Sequence, residues 1–169
     1  MAYTRFGAMI AASTVVMFGL MYLNTYALDH VWFSQTRLWM AIVMGTTMAA
    51  LMLAFMLSMY RDRRTNVAIF VCAALGFAAA LWLVRSQATV DDVSYMKAMI
   101  PHHSIAIMTS ERARIRDPRV RKLADGIIEA QVREIGEMER LIADLQAHPA
   151  PSDAPSLRPS DGKAGSATQ

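Results

Sequence analysis

The sequence predicts an all-α protein in two unlike parts: three transmembrane helices, then an extracytoplasmic antiparallel helical hairpin and a disordered tail. Three observations carry that prediction. Three long apolar runs crowd into residues 1–85, whereas the remainder reads as ordinary polar sequence. Charge divides at the same place: residues 1–84 hold five arginines against two aspartates, and residues 85–169 hold twelve basic against twelve acidic groups. After Pro118, apolar residues recur at alternating steps of four and three, the spacing of a packed helix pair.

The first run, about 6–26, has Arg5 before it and aromatic ends at Tyr3, Tyr22 and Tyr26, which suits a retained membrane helix. A cleaved signal peptide is the alternative, with Thr25 and Ala27 as the small-residue site. The second run, 38–60, is long enough for a hydrocarbon layer of about 30 Å, with Trp39 and Tyr60 as interfacial anchors. The third, 67–84, ends at Trp82 and Arg85, and its Cys72, Gly76 and Ala80 fall four apart, where a neighbouring helix could approach closely. Arg61, Arg63 and Arg64 crowd the short link between spans two and three. Positive-inside logic therefore puts the amino terminus and that link in the cytoplasm. The part after Arg85 then lies outside an inner (cytoplasmic) membrane, in the periplasm where one exists. The net charge of +3 belongs to these membrane flanks and gives no case for nucleic acid.

The hairpin is expected at 86–146. Thr89, with Asp91 and Asp92 behind it, reads as a helix start. That helix should reach about Arg116, interrupted near Pro101, which removes a backbone donor. Asp117-Pro118 is a second start, a capping residue with proline at the first helical position. The second helix carries a seam through Val120, Ala124, Ile127, Gln131, Glu134, Met138, Leu141 and Leu145. From 147 to 169 the chain turns Pro-, Ser-, Gly- and Ala-rich, the composition of a disordered tail.

With a single cysteine, Cys72, inside an apolar run, no intrachain disulfide and no cysteine-based metal cluster can form. Chemistry falls instead to Met96, Met99, His102 and His103. At about 100° per residue, Met96, Met99 and His103 share one face of a helix. Glu134 and Gln131 interrupt the opposing seam, and Met138 resumes it. A carboxylate bonded to one imidazole nitrogen would fix the tautomer and leave the other for a metal. Thioether and imidazole without thiolate suit Cu(I) or Ag(I) better than zinc or iron. Neither histidine has a glutamate three residues before it, as a di-iron carboxylate centre requires. The bland reading is that methionines at helical spacing fill a core, and it applies above all to Met108 and Met138. His30 and His148 read as incidental. In the second span Met40, Met44, Met48, Met52 and Met56 repeat every four residues. Either they are a soft-ligand ladder for copper, with Met44, Met48 and Met52 at its centre, or they are packing and lipid-facing residues with no polar companion.

Met99-Ile100-Pro101-His102-His103, followed by Ala106, Leu123-Ala124, Gln131, Glu134-Ile135 and Met138, resembles domain-of-unknown-function family 305. That family comprises ferritin-like helical domains, including periplasmic copper-binding proteins of the CopM type. The resemblance covers about 93–145. It implies a four-helix-bundle core and extracytoplasmic binding of copper or silver through Met and His. In the family pattern a methionine lies six residues after the second histidine; here that position is Thr109 and the methionine is Met108. Many members supply two hairpins in one chain and this chain supplies one, so two copies are expected to pair as a homodimer or higher oligomer.

The expected function is membrane-anchored binding of Cu(I) or Ag(I) for tolerance or delivery, by a protein that is not an enzyme. Its partners would be membrane lipid, a second copy and an unidentified metal-delivery protein. The alternatives are copper transport along the methionine ladder, a metal-free assembly or sensing module, and, last, a redox enzyme.

Overall fold

The computed structural model describes residues 2–149 and 151. All regular elements among them are helical: α1 (Ala2–Leu20), α2 (Gln35–Phe55), α3 (Arg63–Ser86), α4 (Asp92–Arg112) and α5 (Pro118–Ala147), with a 3-10 turn at Leu28–His30. The first three are long and apolar enough to cross a membrane. The tail expected over 147–169 lies outside the described residues, except for Ala147 at the end of α5, His148, Pro149 and Pro151.

Within the span region α2 is central, and α1 and α3 each pack against it. Small residues set the approach. A Cβ at Gly45 would collide with the Thr14 hydroxyl of α1, and one at Gly76 would lie 3.0 Å from the Thr46 methyl. Threonine is tolerable there because its hydroxyl bonds its own helix, Thr14 to the Ile10 carbonyl and Thr46 to that of Ile42. Ala73 and Ala80 are buried on α3, whereas Cys72, expected beside them at the contact, is exposed. At the arginine-rich end Phe6, Leu53 and Tyr60 form a small core. There buried Asn66 donates to the Tyr60 carbonyl and accepts from the Tyr3 hydroxyl, so no polar group is stranded.

Several expected boundaries move: α2 and α3 begin earlier, at Gln35 and Arg63, α4 ends at Arg112 and not near Arg116, and three further shifts have a visible reason. The first span ends at Leu20, not near 26, because residues 21–34 are drawn into other contacts. Arg37 donates to the Met21 carbonyl at 2.6 Å and lies 4.4 Å from the Tyr22 ring centre, while the Tyr22 hydroxyl accepts from the Ser34 N–H. The second helix ends at Phe55, so Tyr60 reaches back over Tyr3 and Phe6. The fourth starts after Asp91, whose side chain accepts from the Ser94 N–H. Thr89, expected as the cap, instead faces Trp39.

Helices α4 and α5 pack side by side around Met96, Ile100, Ile107, Ile135, Met138 and Ile142. Each fully buried side chain of this size stabilises by about 1.5–3 kcal/mol. The interruption expected at Pro101 does not occur: α4 is continuous through it and the ring is buried. Asp117 caps α5 with Pro118 at the first position, as the sequence predicts. The seam on α5 differs in one of its two rows. Ala124 and Met138 are buried as expected, but Ile135 and Ile142 replace Glu134 and Leu141 in the interior. Rolling the helix this way buries isoleucine and leaves a carboxylate at the edge, where its desolvation cost is small.

Candidate functional site

Beside the α4/α5 core a cavity of about 440 Å³ is lined by Met96 and His103 of α4 and by Glu134 and Met138 of α5. Four of the residues singled out in the sequence therefore line one cavity, two from each helix. The core holds both methionines in place: Met96 packs with Ile100, and Met138 with Ile135 and Ile142.

His103 is the polar centre. Its side chain is 13% exposed, and its Nδ1 lies 3.4 Å from the Glu134 carboxylate, which is 42% exposed. Nδ1 is buried and makes no hydrogen bond among the described residues, so the carboxylate faces it without closing on it. Burial pushes the imidazole pKa below its ordinary value, Glu134 works against that, and neighbouring His102 adds to it. The ring is thus favoured in its neutral form, the form that ligates metals.

The other named residues stand apart. His102 is exposed, its ring tilted 59° from that of His103 with centres 6.2 Å apart. Met99 packs against the core and does not line the cavity. Gln131 and Met108 are half-buried outside it. On α2, Met44, Met48 and Met52 line a separate cavity of about 430 Å³ with Leu51 and Phe55. Its polar member, Thr47, bonds the Val43 carbonyl of its own helix. Among the described residues no three His, Cys, Asp or Glu side chains converge on one point. A metal here would therefore rest on thioether sulfur.

Asp92, Tyr95, Glu137 and Leu145 also line the cavity. Spacing could have found them. Asp92 precedes Met96 by one helical turn, and Glu137 follows Glu134 by three residues.

A second feature is absent from any one-dimensional reading. Ser104, next to His103, is completely buried, accepts from the Tyr26 N–H at 2.7 Å and lies 2.9 Å from His30 Nδ1. Gln35 donates to Ser94, and the Lys97 ammonium sits 5.7 Å from the centre of the Trp32 ring, which packs on the α4/α5 core. The link between α1 and α2 thus seats α4. His30, read as incidental, is part of that seat.

Residues 92–169, which include α4 and α5, match the family model described as Domain of unknown function (DUF305). The first three helices lie outside the match. An uncharacterized protein of Acanthamoeba polyphaga mimivirus is 44% identical over 64 residues, 37% of this chain. The match covers 42% of that protein's length. No solved structure matches the chain.

Proposed function

We propose that this protein binds a soft monovalent metal ion, Cu(I) or Ag(I), at the α4/α5 cavity, for metal tolerance or delivery and without catalysing a reaction. The observation that carries the reading is the meeting of Met96, Met138 and His103 in one cavity with Glu134 behind the imidazole. The donor set fits the ion. Two thioethers and a neutral imidazole match a soft monovalent cation, and with Nδ1 turned toward Glu134 the donor atom left to the metal is Nε2. Met96, Met138 and His103 would hold the ion, with Glu134 orienting the ring. Thioethers do not titrate, so binding through them would persist in mild acid.

The arginine distribution supports an arrangement with the amino terminus in the cytoplasm and the α4/α5 hairpin on the extracytoplasmic side of an inner membrane. The hairpin would supply half of a ferritin-like four-helix bundle of the CopM type. Val120, Leu123, Ile127 and Leu141 remain exposed on α5, an apolar stripe that a second copy would cover. Copper transport along α2 is less favoured, because the cavity that Met44, Met48 and Met52 line holds neither a histidine nor a charged residue.

Met96→Leu/Met138→Leu keeps the core volume while removing both sulfurs. In competition with a chromophoric Cu(I) chelator, the full chain in detergent should bind Cu(I) and the double variant at least about 100-fold more weakly. Equal affinity of the two, with the variant folded, overturns the reading.

A further inference from the structure

A second cavity, about 710 Å³, opens between α1 and α3 with α2 as its floor. Small residues open it, Gly7 and Ala11 on α1, Gly45 and Ala49 on α2, Ala68 and Cys72 on α3, among larger apolar side chains such as Ile10 and Ile69. Along α1 it runs from Tyr3 to Thr14, about 16 Å at 1.5 Å per residue. That is close to half of a hydrocarbon layer of about 30 Å, the depth of one leaflet. A transmembrane helix of a second copy would need a slot along the full thickness.

The head of the slot is polar and basic. Tyr3 and Thr65 line its mouth, and Arg5, Arg61, Arg63 and Arg64 are exposed around that end. Among the described residues none of the four arginines is in an ion pair. The nearby carboxylate, Asp62, is occupied in capping α3, accepting from the Arg64 N–H and the Thr65 hydroxyl. A further depression, about 740 Å³, runs from Arg63 and Arg64 along Val67 and Val71 and shares Ala68 and Cys72 with the slot. A slot between helices and an exposed apolar face of α3 therefore both descend from one basic head.

We infer that this end of the span region is a binding site for one anionic phospholipid of the leaflet on the arginine side. One acyl chain fills the slot between α1 and α3, the other follows Val67 and Val71, and the phosphate headgroup sits at Arg63 and Arg64. Shape selects an acyl chain over a helix, and charge selects an anionic headgroup over a zwitterionic one.

The test is native mass spectrometry of the full chain released from detergent with added phosphatidylglycerol or phosphatidylcholine. The parent should retain phosphatidylglycerol at least about tenfold better, the preference expected of two arginines at the headgroup. Arg63→Gln/Arg64→Gln, which touches no packed side chain, should bring the two lipids to near parity. Ala11→Leu/Ala49→Leu, with helical content checked by circular dichroism, should lose both. Equal retention by the parent overturns the site, as does an undiminished preference in the arginine variant. So does a parent dimer that only the slot-filling variant breaks, since a second copy would then be the occupant. If the slot-filling variant fails to fold, the arginine variant decides alone.

Discussion

Methionine does opposite things in the two halves of this protein. On α2, Met44, Met48 and Met52 line an apolar cavity of about 430 Å³ whose polar member, Thr47, is turned back on its own helix. Between α4 and α5, Met96 and Met138 face inward, packed among isoleucines and lining the same cavity as a buried imidazole. The surroundings differ in the same sense. The spans meet through Gly45, Gly76, Ala73 and Ala80, where bulk must be absent for backbones to approach. Helices α4 and α5 meet through Ile100, Ile107, Ile135 and Ile142, where bulk must be present to exclude water. A thioether becomes a candidate ligand through what is beside it, not through how many there are.

Mutations can break this contrast from either side. The largest expected effect is at the centre of the α4/α5 pair. Ile100→Ala or Ile135→Ala should cost about 2–5 kcal/mol in chemical unfolding followed by circular dichroism. The corresponding change in the spans must add bulk, not remove it: Gly45→Leu should cost about 1–3 kcal/mol by driving Thr14 and α1 away. A neutral Gly45→Leu would show that the two halves are packed by the same rule. Between these lies Glu134→Gln, which should weaken Cu(I) binding about 10- to 100-fold while leaving the unfolding midpoint nearly unchanged.

Smaller effects sharpen the comparison where the halves join. Ser104→Ala strands the Tyr26 N–H and His30 and should cost about 1–2 kcal/mol, read as a lower midpoint for the whole chain. Asp91→Ala should cost about 1 kcal/mol by removing the cap of α4. Acid should imitate it. The Ser94 backbone N–H, first among several causes, holds the Asp91 carboxyl below its ordinary 3.8. Its contribution is therefore complete above that value and disappears as pH falls through the lower value of the folded state.

Much of this architecture was legible in the sequence. The apolar runs gave three helices, and Asp117-Pro118 gave the start of α5 to the residue. The helical wheel brought Met96 and His103 together and pointed to Glu134 across from them, which is how the cavity wall is built. The second row of the α5 seam was misplaced because Ile127 and Ile128 are adjacent and both apolar. Spacing cannot say which of the two faces in, and the cost of burying Glu134 decides it. Met99 and His102 looked equal to their neighbours because a wheel gives direction and not depth. The seat made by Tyr26, His30 and Trp32 was invisible for a different reason. Its contacts join residues far apart in the chain, as from His30 to Ser104 and from Trp32 to Lys97, and no local pattern records them.

X-ray absorption at the copper edge of the Cu(I)-loaded full chain tests the central claim most directly. The account predicts two sulfur scatterers and one imidazole per copper, with the sulfur signal abolished by Met96→Leu/Met138→Leu. Coordination by nitrogen and oxygen alone, or a sulfur signal that survives in that variant, would contradict it.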